Sequence, residues 1–350
     1  MKILLLSNMY PSAQKPYAGI YVKNLYEALR KDGSIDLSLL TMRRSYTGPI
    51  GSILKYLGFF IRFLGYLPRR YDIVHLQFFF PLIYLLSIYK LFHPSTKLVV
   101  TYHGTDIEAH ANNKFARAIL RFIAKVVSHH VVVGKDLAEV VKSKLKVESV
   151  DIVPAGVNEE VFYNIPNCKK EYDFLFVGSF FPPKGVPELI AAIRQIDDLK
   201  PKFCFVGSGP LLADLEDLAR TFDITIFQNL SQEELRKVYN QSRFLILPSK
   251  REAFGLVVTE AMFCGTPVLV TPVGGLKDQV KECDNGFFIK GVTTPAIVEG
   301  IRRVCQLEKG QEMFMAERAL KSNRQFSLVN VCKYHIKTYR KLLALGERAE

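Results

Sequence analysis

The feature that most restricts what this chain can fold into is an alternation of short apolar runs with helical stretches that passes once through the first half, stops, and begins again. Apolar runs at 3–7, 37–41, 73–76, 98–101, 130–133 and 149–153 are separated by stretches with helical spacing at 20–31, 53–67, 82–91, 114–128 and 135–144. Runs this short and this apolar read as strands covered on both faces, and strands joined through helices run parallel. After a polar segment at 154–170 the pattern resumes with strands at 174–178, 202–207, 224–227 and 244–247 and helices at 187–195, 211–221 and 232–240.

The expected class is therefore α/β, with two Rossmann-like parallel-sheet domains facing each other across a cleft, the default place for a ligand. We set the first domain at 1–165 and the second at 166–325. A last helical segment, 326–350, is expected to pack back on the first domain. At 350 residues, 49% hydrophobic and 23% charged, the chain has the length and composition for two such units.

Six cysteines, Cys168, Cys204, Cys264, Cys283, Cys305 and Cys332, are scattered without any C-x-x-C spacing, so they read as reduced thiols in a cytoplasmic protein. The N-terminal apolar run is too short for a signal peptide, and the uninterrupted core of the most apolar region, 78–89, is too short to span a bilayer. The net charge of +13 is concentrated in residues 1–150, which carry 21 Lys and Arg against 9 Asp and Glu. An anionic partner thus belongs to the first half. No zinc-finger spacing, helix-turn-helix or RNA-recognition pattern accompanies that charge, so the partner is read as anionic lipid or a phosphorylated acceptor and not nucleic acid.

Chemistry concentrates in Pro248-Ser-Lys-Arg-Glu-Ala-Phe-Gly-Leu-Val-Val-Thr-Glu-Ala-Met-Phe-Cys-Gly-Thr-Pro267. A buried strand ends at Pro248 and a helix runs from Leu256 to Cys264, closed by Gly265. The N-terminus of such a helix offers backbone N–H groups and partial positive charge to an anion. Glu252 in the loop and Glu260 on the helix bracket it, which suits a ligand with both phosphates and hydroxyls, such as a nucleotide sugar. No G-x-G-x-x-G follows the first strand, and no G-x-x-x-x-G-K-[ST], D-x-D, H-E-x-x-H or G-x-S-x-G occurs, which disfavours dehydrogenase, P-loop kinase, metal-diphosphate, metalloprotease and serine-hydrolase chemistry.

The same segment resembles the E-x7-E hallmark of the family 4 retaining glycosyltransferases of GT-B fold, with Glu252 and Glu260 in register beside Phe254, Gly255, Ala261, Met262, Gly265, Pro267 and Val268. The resemblance extends along the chain. Ala18 to Leu29 is similar to the family's glycine loop and first helix, Thr101-Tyr-His-Gly-Thr-Asp106 to its T-x-H-G-x-D segment, and Val153-Pro-Ala-Gly-Val-Asn158 to its interdomain signature. Val177-Gly-Ser-Phe-Phe-Pro-Pro-Lys-Gly185 and Val206-Gly-Ser-Gly-Pro210 resemble its two glycine turns.

The resemblance implies a hexosyltransferase that moves a sugar from a nucleoside-diphosphate donor, UDP-linked, to a glycan or lipid-linked acceptor in cell-surface polysaccharide synthesis, with no metal and no cofactor beyond the nucleotide-sugar substrate. His103, Glu252 and Lys184 take the catalytic roles it implies. Lys184 would pair with the diphosphate, Glu252 with hydroxyls of the sugar, and His103 would face that sugar across the cleft. Gly19, Gly178, Ser179, Gly209, Leu230, Phe254, Gly255, Leu256 and Glu260 fall at donor-binding positions, with Glu260 on the ribose hydroxyls and the N–H groups of Gly255 and Leu256 on the β-phosphate. The family's usual Arg after Gly178 is replaced by Ser179, which moves phosphate binding onto Lys184, helix dipoles or Arg251. Retention of anomeric configuration is implied; no enzymatic nucleophile is evident beneath the sugar, so front-face attack by the acceptor hydroxyl is favoured over Glu252 as nucleophile. Two other readings stay open: a nucleotide-sugar 2-epimerase, also built of two such halves, and a lipid- or partner-binding protein with a decayed site.

A second lead is the basic, aromatic stretch 54–70. Ile53, Leu57, Ile61 and Leu64 recur at helical spacing, while Lys55, Arg62 and Arg69, followed by Arg70, recur every seven residues on another stripe. Either the helix packs on its sheet with solvated cations, or it lies on an anionic membrane surface, holding the protein peripherally on the inner face of the cell membrane.

Overall fold

Ile3, Leu4, Leu5 and Leu6 are wholly buried, because helices cover both faces of the strand they form. The computed structural model describes residues 1–12, 18–42, 48–108, 114–281 and 284–347. In the first sheet β1 (Lys2–Ser7), β2 (Asp36–Thr41), β3 (Ile73–Gln77), β4 (Lys97–Tyr102), β5 (His129–Val132) and β6 (Asp151–Ile152) lie in the order β2-β1-β3-β4-β5-β6. All pairs are parallel, with Leu4 opposite Ser38 on one side and Val74 on the other. The helices between them are α1 (Ile20–Arg30), α2 (Gly48–Leu64), α3 (Ile83–Phe92), α4 (Thr105–Glu108), α5 (Lys114–Ala124) and α6 (Lys135–Leu145).

In the second sheet β7 (Tyr172–Val177), β8 (Phe203–Val206), β9 (Ile224–Phe227), β10 (Ser242–Leu247), β11 (Val268–Val270) and β12 (Gly286–Phe288) take the order β12-β11-β10-β7-β8-β9, again parallel throughout. Its helices are α7 (Val186–Ile193), α8 (Leu212–Leu218), α9 (Gln232–Asn240), α10 (Leu256–Phe263), α11 (Leu276–Gln279), α12 (Thr294–Cys305) and α13 (Lys309–Ser322). Beyond residue 267 the elements β11 to α13 were not marked by the apolar alternation, whose strands shorten there to three residues.

Two compact units account for the chain: Met1–Gly156 with Leu328–Glu350, and Val157–Ser327. The first crossing comes earlier than the boundary set at 165. Val157 donates its N–H to the Phe326 carbonyl at 3.0 Å, and Phe162 is buried edge-on against Tyr239 at 6.0 Å, so this stretch packs in the second unit. The final helix α14 (Leu328–Glu347) returns to the first unit, where Val331, Cys332 and Tyr339 join Ile3, Leu25, Leu29, Ile73 and Val99 in one core cluster. Cys168, Cys204, Cys264, Cys305 and Cys332 are free thiols, and Cys283 lies outside the described residues.

Strand order fixes where each unit can hold a ligand. It reverses between β1 and β3 in the first sheet and between β7 and β10 in the second. Loops leaving the carboxyl ends of such neighbours turn to opposite faces and open a crevice.

Candidate functional site

In the second unit the crevice lies between the loops that follow β7 and β10. After β7 the chain passes Gly178 and the exposed Ser179, makes a short 3-10 turn at Pro182–Lys184, and enters α7 through Gly185. Gly185 has φ 73°, and a Cβ placed on it would sit 2.0 Å from the Pro248 carbonyl oxygen, so only glycine allows the two loops to meet. The Lys250 N–H donates to the Pro183 carbonyl at 2.9 Å and fixes the same approach.

That approach brings Lys184 onto Glu252. The Lys184 ammonium donates to Glu252 Oε1, and the Ser249 hydroxyl donates to the same oxygen at 3.2 Å. Sequence reasoning gave the two residues separate tasks on the diphosphate and the sugar and did not foresee the direct pair. Ser249, itself buried, is a further member missed, although it stands in the P-S-x-x-E pattern. Lys250 turns instead to Glu188 on α7, at 2.7 Å.

The N-terminus of α10 opens beside this pair. Gly255 is its N-cap, with φ 84°, and no side chain caps it. The first N–H groups of a helix have no intrahelical partner, so those around Gly255 and Leu256 are available to an anion. Gln279 holds the entry in place by donating to the Phe254 carbonyl, while its Oε1 accepts from the Thr259 hydroxyl at 2.6 Å. Phe254 is buried edge-on against Phe326 at 5.7 Å and serves packing.

Glu260 is almost fully buried on α10 and accepts a hydrogen bond from the Tyr239 hydroxyl at 2.9 Å through Oε2. Burial pushes its carboxyl up to about 8, against the opposing pull of that hydrogen bond. The ribose role expected of Glu260 must therefore work through a carboxyl already engaged with Tyr239, a residue that no motif marked. The other expected donor positions stand farther along the sheet. Gly209 follows β8 and backs onto the Phe180 backbone, and a Cβ there would lie 2.6 Å from the Phe180 oxygen. Half-buried Leu230 follows the edge strand β9, two strands from the reversal point.

In the first unit, His103 stands just past β4. Its ring lies 4.3 Å from that of Tyr21 and 6.2 Å from that of Phe78, and its Nε2 is 2.9 Å from Gln77 Oε1. The Gln77 amide nitrogen is 3.0 Å from His75 Nε2, and His75 Nδ1 is 2.6 Å from the Tyr339 hydroxyl. An amide oxygen can only accept and an amide nitrogen only donate. His103 thus carries its proton on Nε2, which leaves Nδ1 as an acceptor. Burial pushes the His103 imidazole down to about 3, so it is neutral. Asp106 ties the loops together, accepting from the His103 N–H at 3.1 Å and the Phe79 N–H at 2.7 Å. Burial raises its carboxyl to about 6. Gln77, His75 and Tyr339 came from unremarkable strand and helix positions and carried no sequence signal.

Gly19 precedes α1 with φ 73°, and its missing side chain is matched by the protein's own Met9–Tyr10 backbone, 2.7 to 2.9 Å from where a Cβ would be. The cation stripe is corrected. α2 ends at Leu64 and the backbone turns at Gly65 and Tyr66, so Arg69 and Arg70 are off the helix and the spacing of seven loses its meaning. Arg62 donates to the Thr41 carbonyl at 2.8 Å, Arg69 lies over the Tyr66 ring at 5.0 Å, Lys55 is half-buried and Arg70 is exposed. Among the described residues, no three His, Cys, Asp or Glu side chains are grouped to hold a metal ion.

Comparison with known proteins places this geometry. A family model described as glycosyltransferase family 4 matches residues 18–161, and one described as glycosyl transferases group 1 matches 158–321. An uncharacterized glycosyltransferase of Methanocaldococcus jannaschii is 29% identical over 310 residues, 81% of this chain and 84% of its own length. Among solved structures, sucrose-phosphate synthase from Thermosynechococcus elongatus superposes with a TM-score of 0.80 at 20% identity, covering 99% of this chain and 100% of that one. The Anabaena protein HepE, solved in complex with UDP and glucose, gives 0.75 at 16% identity, with 97% and 100% covered.

Proposed function

The chain belongs to the family 4 glycosyltransferases of GT-B fold, and from that premise we propose a retaining enzyme that moves a sugar from a UDP-sugar to a glycan or lipid-linked acceptor of the kind used in cell-surface polysaccharide synthesis. The observation that carries the reading is the convergence of Lys184, Glu252 and the uncapped start of α10 at the strand-order reversal of the second sheet. Lys184 and the α10 N–H groups meet the diphosphate as charge develops on it, which stabilises the leaving group. Glu252 takes a sugar hydroxyl and Glu260 a ribose hydroxyl. Opening a charged hydrogen bond like that of Lys184 and Glu252 costs about 1.5 to 3 kcal/mol, which a diphosphate with more than one negative charge beside Lys184 offsets.

One route to retention is favoured. A carboxylate that accepts from the Ser249 hydroxyl and takes a sugar hydroxyl is a poor nucleophile, so the acceptor hydroxyl attacks the anomeric carbon on the face that the diphosphate leaves. The carbon–oxygen bond to the diphosphate breaks, the bond to the acceptor oxygen forms, and the acceptor proton passes to the departing phosphate oxygen. Neutral His103 reads a sugar hydroxyl through Nδ1. Proton NMR of the product made from an α-linked UDP-sugar tests this: an α-glycoside is expected. A β-glycoside would overturn retention, and an epimerised nucleotide sugar formed without acceptor would identify the 2-epimerase reading instead.

A further inference from the structure

We infer that the first unit docks on an anionic lipid bilayer through the outward face of α2. Of the two packings open to this helix, the structure takes the one that leaves its apolar stripe outside: Ile53, Leu57, Ile61 and Leu64 are 69%, 51%, 60% and 43% exposed, and Leu54 and Tyr56 lie open beside them. The helix is held instead by Phe59 and Phe63, both buried, with Phe63 edge-on to Tyr89 of α3 at 6.3 Å. It is thus apolar on two sides and only one is used by the fold. With Phe60, seven open apolar side chains among the described residues of this helix form a patch that a soluble surface does not maintain without a partner.

The ends of α2 and α3 are fastened together. The Tyr89 hydroxyl donates to the Arg69 carbonyl at 2.6 Å, and His93 Nε2 lies 2.6 Å from the Leu67 carbonyl. That connection carries Leu91 and Phe92, 82% and 64% exposed at the end of α3, to the same end of the molecule as Arg69 and Arg70.

Charge selects the occupant. Between Leu37 and Lys135 the sequence has 13 Lys and Arg, and its only acids are Asp72, Asp106 and Glu108. Asp106 is buried, so it adds nothing to the surface. An apolar ridge on a segment rich in Lys and Arg and nearly free of acid matches a surface that is anionic at the headgroups and apolar beneath them. Among the described residues no helix is long and apolar enough to cross a membrane, so α2 lies in the interface and does not span. This inference gives the lipid-linked acceptor a bilayer to be met on, but it stands on the exposure of α2 and not on the donor assignment.

The test is co-sedimentation of the full chain with vesicles of phosphatidylcholine alone and of phosphatidylcholine with phosphatidylglycerol at roughly three to one. The wild type should bind the anionic vesicles about tenfold more strongly and release them in high salt. Leu57→Asp with Ile61→Asp should abolish most of that binding, and the milder Ile53→Ser with Leu64→Ser should weaken it severalfold. Arg69→Glu with Arg70→Glu should remove the preference for anionic lipid. Met313→Asp with Phe314→Asp, which removes equally exposed apolar groups from the second unit, should change nothing. A UDP-induced thermal shift measured on every variant reports folding and the donor site separately. A wild type that ignores anionic vesicles, an α2 variant that binds as the wild type does, or an α2-dependent doubling of mass in sedimentation without lipid would each overturn the inference. A lost UDP shift with the vesicle pattern intact would sink the donor reading alone.

Discussion

The crevice of the first unit presents a neutral imidazole, with the Asp106 carboxyl turned onto the N–H groups of its own loops, and that of the second presents an ion pair. His103 is neutral, and its line of partners runs through an amide, another buried imidazole and a phenol. Lys184 and Glu252, by contrast, hold each other at the mouth of a helix dipole. Both crevices arise in the same way, at the reversal point of a parallel sheet, so topology does not cause the difference. The side chains do. A neutral, fixed imidazole can discriminate hydroxyls but cannot take up the charge of a leaving diphosphate, whereas an ammonium at a helix start can. On the proposed reading, leaving-group stabilisation falls to the second unit, and His103 of the first adds a neutral contact to a sugar hydroxyl.

The largest expected effect comes from removing the cation. Lys184→Ala should lower kcat by about 10²- to 10³-fold while the melting temperature moves little, measured by release of UDP from the donor. Equal losses in kcat and in folded fraction would break the contrast, because Lys184 would then be structural.

Gly185 should show the opposite pattern. Gly185→Ala adds a Cβ 2.0 Å from the Pro248 oxygen at a positive φ, and should destabilise the protein by about 3 kcal/mol in denaturant unfolding, with the activity of the folded fraction falling as the two loops separate. A variant of unchanged stability would show that the loops are not held at that distance.

Gln77 sharpens the neutral side. Gln77→Leu removes the acceptor for His103 Nε2–H and should cost about tenfold in kcat at unchanged donor KM, with loss of the Nε2–H tautomer in nitrogen NMR of the imidazoles. A tautomer unchanged in the variant would remove Gln77 from the account.

Strands buried on both faces leave unbroken apolar runs, so both sheets were legible in the sequence up to β10, as was the return of the last helix toward the first unit. The three-residue strands β11 and β12 were too short to leave such a run. In the site, Glu252, Glu260 and Lys184 were visible because their spacing is a motif. The bond between Lys184 and Glu252 was not, because it depends on Gly185 passing under the Pro248 carbonyl, a contact between residues far apart in sequence. Tyr239 and Gln77 were invisible for the same reason. On α2 the apolar stripe was legible but its direction was not: spacing puts Ile53, Leu57 and Ile61 on one face, while only the packing of Phe59 and Phe63 shows that the other face is inside.

The effect set by pH lies with Glu260. Its pKa rises from 4.5 to about 8 on folding, so the folded state holds a proton that the unfolded state releases in that window. The stability this gives is fully present below 4.5 and is lost as pH rises through about 8. Melting temperature should therefore fall more steeply over that range in the wild type than in Glu260→Gln. Parallel pH profiles would mean that Tyr239 and solvent already keep the carboxyl at its ordinary value.

Isothermal titration of UDP into the wild type, Lys184→Met and His103→Ala tests the division between the units most directly. The charged crevice should hold the diphosphate by itself: the wild type binds UDP, Lys184→Met binds at least about tenfold more weakly, and His103→Ala binds as the wild type does. Undiminished binding in Lys184→Met, or a loss in His103→Ala as large as that expected of Lys184→Met, would contradict it.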